Sequence, residues 1–382
     1  MTDKSNVILD VRGLSVSFST GRGTVRAVRN LDLELRKGET LAIVGESGSG
    51  KSVTVKTLIG ILSKNGRVDS GTALFRYREG ETEKETDLLA LSKKEMRRNI
   101  NGKRISMIFQ DPMTSLNPTM PVGAQIAETI GLHNLEPAVT VGEQLAENIR
   151  RHEKISRRAA AKRALELLEM VGMDDPERRL KSYPHQLSGG MRQRVVIAIA
   201  LACGPEILIC DEPTTALDVT IQERILQLIR DIQIKTGISV IYITHDMGVV
   251  AKVADYVTVM YAGRIVERGT AEDIFYDSRH PYTWGLLLAM PDLYTDDETL
   301  YTIPGNPPDL LQDINGDAFA ARNPTPLYID TRRVPPLFQI SPTHYAASWL
   351  LYKNAPKLDC PAELRKRVDR MLKEAAYDSS AL

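Results

Sequence analysis

Gly45-Glu46-Ser47-Gly48-Ser49-Gly50-Lys51-Ser52 follows the apolar run Thr40-Leu41-Ala42-Ile43-Val44 and opens a helical pattern that the spacing extends over residues 51–62. An apolar run of that length feeding a glycine-rich turn reads as a buried parallel strand. The glycines matter because backbone amides must converge on phosphate oxygens with no side chain between them. Lys51 would add a point charge at the β- and γ-phosphates, and the Ser52 hydroxyl is placed for Mg²⁺. The helix start contributes its own positive end. Gly45, Ser47, Gly48, Ser49, Gly50, Lys51 and Ser52 are therefore candidate binding residues for a nucleoside triphosphate. A plain glycine-rich turn before a helix is the bland alternative, so the reading needs a second element.

Ile207-Leu208-Ile209-Cys210-Asp211-Glu212 supplies it, an apolar strand ending in two acids. Asp211 can serve a metal's coordination shell and Glu212 can polarise an attacking water. Alone, a strand ending in acids is more often a solvated strand end. A third element, Leu187-Ser188-Gly189-Gly190-Met191, opens a helical run to Cys203. A helix start with a serine and two bare glycine amides is an anion site, though an ordinary serine cap has the same pattern. Three single residues are weaker signals. His245 stands at the end of the apolar run 239–244, where it can contact a γ-phosphate or simply be a satisfied loop histidine. Gln110, after Phe109, can reach a metal or a water as a neutral sensor. Phe18 is a candidate platform for an adenine ring, although an aromatic residue on a strand is more often core.

Composition narrows the classes. With 382 residues the chain is long enough for two domains. Lys plus Arg and Asp plus Glu each total 49, giving zero net charge, so a nucleic-acid partner held by a basic surface is not expected. Cys203 and Cys210 sit in apolar runs and Cys360 stands apart, so neither a disulfide framework nor a zinc pair is expected. The first residues lack the basic-then-apolar plan of a signal peptide, and the longest apolar run, 195–203, is too short to span a bilayer. The expectation is a soluble chain in a reducing compartment, with any membrane work done by partners.

Residues 7–18 and 28–35 show strand-like alternation; Leu31, Leu33 and Leu35 interleave with Asp32, Glu34 and Arg36. Ile221, Ile225, Leu228, Ile229 and Ile232 mark one face of a helix that Gly237 is placed to end. Strands alternating with helices predict an α/β core with a parallel sheet. Residues from about 88 to 187 are mostly helical in pattern, including 156–171, and suggest an inserted helical subdomain. Beyond about residue 276 the texture changes, since 12 of the 20 prolines fall there. Such a tail cannot build regular ladders, so a loop-rich extension over 276–382 is expected, with short strands and a final charged helix over 362–376. A nine-residue segment at 122–130 recurs at 141–149 with six identities, a local duplication or two similar amphipathic segments.

As an ordered set these elements resemble the ABC ATPase family over roughly residues 7–275. The resemblance implies a P-loop NTPase fold of the ABC type with an inserted helical subdomain. It equates residues 45–52 with the Walker A loop, Gln110 with the Q-loop, and 187–191 with the signature. Asp211 and Glu212 become the end of the Walker B strand, Ala216-Leu217-Asp218 the D-loop, and His245 the switch histidine. It also implies that Ser188, Gly189, Gly190 and Asp218 serve a nucleotide held by a different subunit, so that two ATPases sandwich ATP. Phe109-Gln110-Asp111-Pro112-Met113-Thr114-Ser115-Leu116-Asn117-Pro118, Tyr183-Pro184-His185-Gln186 and the tail pieces His280-Pro281-Tyr282-Thr283 and Gly305-Asn306-Pro307-Pro308-Asp309-Leu310 are similar to the oligopeptide, dipeptide and nickel permease ATPases. Ile340-Ser341-Pro342-Thr343-His344-Tyr345-Ala346 and Trp349-Leu350-Leu351 look most like the oligopeptide members.

The expected function is therefore an ATP-hydrolysing subunit of an oligopeptide importer, peripheral on the cytoplasmic face of a prokaryotic cell membrane. The resemblance implies Mg²⁺, a homologous second ATPase, two transmembrane permease subunits and an extracytoplasmic peptide-binding protein, with no nucleic acid. Dipeptide or nickel import is the near alternative. A soluble ABC protein is the remote one, since no sustained heptads and only one set of motifs occur. One departure stands out. Many relatives carry a tail cysteine cluster able to hold iron and sulfur, whereas Gly316-Asp317-Ala318-Phe319-Ala320-Ala321-Arg322-Asn323-Pro324 has no thiol. No iron–sulfur cluster is expected, because such a cluster wants four thiolates.

Overall fold

In a computed structural model the protein is described over residues 6–110, 116–117, 119–132, 157–215, 218–291 and 301–380. The chain divides into two compact units, one built from the residues up to Ala90 and from Tyr242 onward, the other from Leu91–Ile241.

The first unit opens with β1 (Val7–Thr20) and β2 (Gly23–Arg36), an antiparallel pair longer at both ends of the hairpin than the alternation alone predicts. Leu9 faces Leu35, Val11 faces Leu33 and Leu14 faces Leu31, so the leucine ladder is the buried face. Strand β3 (Thr40–Val44) is buried at every position, as a strand that feeds a phosphate loop should be. The helix after the loop is Lys51–Leu58 rather than 51–62. Gly60 takes φ 66, and the Gly60 amide bonds to the Thr57 carbonyl, which closes the helix early. Strands β4 (Gly66–Glu79) and β5 (Thr82–Asp87) add to the edge of β1, giving an antiparallel sheet in the order β2-β1-β4-β5.

In the second unit the predicted helical stretch also contains a strand, β6 (Ile105–Ile108), running parallel to β7 (Ile207–Asp211). Four residues amid charged sequence are too few to show a period. Its helices include Val122–Leu132, Arg157–Met170, Gly189–Leu201 and Val219–Thr236. The last ends at Gly237 with φ 70, the stop expected of a glycine there. Residues 141–149, the second copy of the repeated segment, lie outside the described residues, as do Ser156, Ala216, Leu217 and residues 111–115.

The chain re-enters the first unit in β8 (Ser239–Thr244), buried throughout. Strand β9 (Tyr256–Tyr261) then runs parallel to β3, with Leu41 opposite Tyr256 and Val44 opposite Val259. β10 (Arg264–Thr270) turns back on β9, and the tail adds the two-residue strands β11 (Phe338–Gln339) and β12 (Tyr345–Ala346). The proline-rich tail is not a loose appendage. Its Tyr282, Trp284, Leu287, Phe319 and Leu364 pack in one apolar cluster with Val44, Val257, Val259 and Tyr261. The completely buried Glu267 fixes it further, accepting from the amides of Arg279 and His280 and lying 2.9 Å from His344 Nε2. The charged helix at the end spans Ala362–Ser380.

Candidate nucleotide site

The phosphate loop is built by close approach. A Cβ on Gly45 would lie 2.1 Å from the Met260 carbonyl, and one on Gly50 2.6 Å from the Ala27 carbonyl. Both residues also take positive φ, 148 and 101, so glycine is required twice over. Lys51 is buried, and its Nζ donates to the carbonyls of Gly45 at 2.6 Å and Glu46 at 2.9 Å. The Ser49 amide donates to the same Glu46 carbonyl. The Ser49 hydroxyl, 3 % exposed, has no hydrogen-bond partner among the described residues. An unpartnered buried hydroxyl beside a buried ammonium, at a helix N-terminus, suits an anion with several acceptor oxygens.

Glu46 is held on three sides. Its amide donates to the Tyr282 hydroxyl at 2.8 Å, its carbonyl takes the Lys51 ammonium, and its carboxylate is gripped by Arg322. Arg322 donates to Oε2 at 2.6 Å and Oε1 at 2.9 Å, a two-pronged pairing. That hydrogen bonding holds the guanidinium well above its ordinary pKa. Burial pushes the Tyr282 hydroxyl well above the usual tyrosine range, so it stays protonated.

In the second unit the parallel pair β6–β7 ends with its acids in place. Gln110 Nε2 donates to Glu212 Oε2 at 3.0 Å, and the Thr215 hydroxyl donates to the same oxygen at 3.1 Å. Glu212 itself takes φ 49, a left-handed conformation uncommon for a non-glycine residue. Asp211, one residue earlier, is buried at the strand end. Next to it, burial pushes the Cys210 thiol far above the usual range, and that of Cys203 up to about 12, so both thiols are inert core groups.

Ser188 caps the helix Gly189–Leu201, its hydroxyl accepting from the Met191 amide at 3.4 Å. Ser188 and Gly189 are exposed. A Cβ on Gly190 would lie 2.9 Å from Ile221 Cγ2, so this glycine lets its helix pack against Val219–Thr236. Asp218 caps that second helix through the Ile221 amide at 2.9 Å. The bland serine-cap reading is thus fulfilled, and Asp218 proves to be a cap that the sequence had not suggested; the amide face of Ser188 and Gly189 is left exposed and open to a further role. His245 is exposed just past β8, next to Asp246, which caps the following helix. Phe18 is half-buried on β1, its ring against Gly66.

Sequence reading missed Thr215, Tyr282 and Arg322. Thr215 sits three residues from Glu212, a spacing at which a threonine hydroxyl can reach back. Arg322 had no local signal, being 276 residues from the glutamate it holds.

The model of the ABC transporter family matches residues 28–215, and that of the oligopeptide/dipeptide transporter C-terminal region matches residues 266–325. The oligopeptide transport ATP-binding protein OppD of Bacillus subtilis is 53 % identical over 366 residues, covering 95 % of this chain and 94 % of that one. The dipeptide transport ATP-binding protein DppD of Lactococcus lactis is 53 % identical over 351 residues, covering 92 % and 93 %. AmiE, an oligopeptide transport ATP-binding protein of Streptococcus pneumoniae, is 46 % identical over 377 residues, 99 % of each chain. Among solved structures, a dimeric ATP-binding cassette in a post-hydrolysis state bound to ADP and Pi superposes with a TM-score of 0.54 at 25 % identity, covering 69 % of this chain and 98 % of that one. The cassette cbiO1 of Clostridium perfringens, part of an ABC transporter complex, gives 0.54 at 27 % identity over 71 % and 92 %. The fold is that of the P-loop ABC ATPases, and relatives this similar over almost the whole length show that the chain belongs to the ABC transporter family, among the ATP-binding subunits of oligopeptide and dipeptide transporters.

Proposed function

We propose that this chain hydrolyses ATP to drive peptide uptake through a membrane permease. The observation that carries the proposal is the arrangement of Glu212, with one carboxylate oxygen held by Gln110 and Thr215 beside a buried Asp211. A degenerate site would have no use for a strained, doubly hydrogen-bonded glutamate at this position. Phosphate binding falls to the amides of Gly45, Ser47, Gly48, Ser49 and Gly50, with Lys51 as the cation. Glu212 orients and polarises the attacking water, and Gln110 keeps its carboxylate in place. His245 contacts the γ-phosphate, and Phe18 stacks on the adenine.

The oxygen donors Ser52, Asp211 and Gln110 fit Mg²⁺, which prefers hard oxygen ligands. When bound it would neutralise charge on the phosphates and leaving group. Ser188, Gly189, Gly190 and Asp218 would serve the ATP of a second, homologous ATPase, giving a mixed dimer. The remaining partners are two permease subunits and an extracytoplasmic peptide-binding protein. Among the described residues no helix is long and apolar enough to cross a membrane. The proposed place is peripheral, on the cytoplasmic face of the membrane that holds the permease. The ATPase core would span residues 1–275, with a helical subdomain at about 88–187 and the extension at 276–382.

Oligopeptides are the proposed cargo, since relatives of both peptide classes are equally similar and the tail pieces favour the longer class. Uptake by vesicles containing the whole complex tests this. Labelled penta- and dipeptides and Ni²⁺ would be compared with ATP inside. Transport of Ni²⁺ alone, or ATP-independent uptake, would sink the proposal.

A further inference from the structure

Arg322 lies in the stretch 316–324, notable in the sequence only for the thiols it lacks, yet it is 5 % exposed and reaches the phosphate loop. Every part of its guanidinium is engaged. Nε donates to the Pro304 carbonyl at 2.8 Å, Nη2 to Ile303 at 3.3 Å, and Nη1 to the Tyr261 hydroxyl at 3.2 Å, besides the two bonds to Glu46. It sits over the rings of Tyr261 and Phe319, at 5.8 and 5.9 Å, and these pack with Tyr282 at ring separations of 4.6 to 5.3 Å. The same cluster thus supplies the hydroxyl that receives the Glu46 amide and the cation that receives its carboxylate. The anchor is prepaid in rigidity, because arginine's planar fork is fixed by five donors and an aromatic bed.

We propose that Arg322 is a positioning residue for ATP binding, through which the C-terminal extension sets the phosphate loop. It acts in two ways. The fork holds Glu46 so that the loop between Gly45 and Ser49 keeps its amides aimed, and it neutralises a carboxylate built into a loop that receives a polyanion. The extension is then a working part of the nucleotide site as well as a family marker. The inference rests on residues 45–52 being the ATP loop.

The test uses the full-length chain with its partner subunits and a fluorescent ATP analogue, with ATPase kinetics alongside. Arg322→Met keeps the stem but frees the Glu46 charge, and should raise the Kd and the KM for ATP about tenfold with kcat changed less than about twofold. Adding Glu46→Gln to Arg322→Met removes the freed charge and should recover at least half of the lost affinity. A purely structural arginine would leave the double variant no better than the single one, and that result overturns the proposal. So does an unchanged Kd in a folded Arg322→Met. Should the methionine variant not fold, Arg322→Lys keeps the charge and loses the fork; a rise in Kd of about threefold supports the inference and an unchanged value overturns it. Wild-type chain that binds no ATP would instead remove the underlying reading, a separate outcome.

Discussion

Gln110 Nε2 donates to Glu212 Oε2 across 3.0 Å, just beyond the ends of two parallel strands whose pairing stops at Ile108 and Cys210. A neutral donor on a carboxylate leaves its charge intact while fixing its direction, which is what a water-orienting base requires. Glu212→Gln keeps the shape and an acceptor for Gln110 and Thr215 but removes the charge. ATP affinity should stay within about threefold, while turnover falls by about 10²–10⁴, the usual worth of a general base. Phosphate release from the assembled complex, with the partner site also silenced, measures it. Normal turnover there would take the base role away from Glu212.

The loop glycines differ in a way that a melting series can read. A Cβ at Gly48 meets nothing within 4 Å, whereas one at Gly50 lies 2.6 Å from the Ala27 carbonyl, and both have positive φ. Gly48→Ala should therefore cost only the left-handed strain, about 1–2 kcal/mol. Gly50→Ala adds a backbone clash worth about another 1–3 kcal/mol. Denaturant midpoints in that order are expected, with ATP affinity falling for Gly50→Ala. Equal midpoints would show that the loop relaxes freely around Gly50.

How far the sequence could carry this reading follows from range. The strands at 40–44 and 207–211 and the helix that opens at Lys51 were legible because an apolar run, a glycine-rich turn and a helical pattern follow one another locally, and the proposed chemistry is read from that same short order. The helix end at Gly237 and the leucine ladder of β2 were legible for the same local reason. Strands β4 and β5 were not, since the charged residues Arg67, Asp69, Arg76, Lys84 and Glu85 fall on both faces, with Arg76 opposite Glu85 but Lys84 opposite Tyr77, which blurs any alternation. β6 was hidden by its four-residue length. The grip of Arg322 on Glu46 was beyond reach, because nothing in either neighbourhood marks a pairing across 276 residues.

Burial raises the Asp317 carboxyl from the usual 3.8 to about 6, against a hydrogen bond from the Phe319 amide, with Asp330 adding to the rise. The folded chain therefore holds this proton more tightly than the unfolded one. Stability falls as pH climbs from about 4 through 6, and the ionised group is a cost at neutral pH. Asp317→Asn keeps the acceptor for Phe319 and removes the charge. It should stabilise the chain by up to about 2 kcal/mol at pH 7.5, allowing for partial exposure, and by little at pH 4.5. Melting curves of both proteins at the two pH values check it. A gain that is the same at both would assign the effect to packing instead of ionisation.

Ser188 is exposed, and its hydroxyl reaches the Met191 amide only at 3.4 Å, a weak cap. If capping were its whole role, Ser188→Arg would cost about 1 kcal/mol of helix stability and leave nucleotide chemistry alone. If it serves the partner's ATP, the arginine puts bulk and a misplaced cation where that γ-phosphate is received. ATP photolabelling at this chain's own Lys51 loop should then persist, while labelling in the closed complex at the partner's loop, and transport with it, should fall at least tenfold. The assay belongs in the assembled complex and at low concentration, where self-dimers of this chain do not mix the two kinds of site. Loss of label at Lys51 equal to that at the partner's loop would mean that Ser188 and Gly190 act within their own subunit, and the two-subunit ATP site would have to be given up.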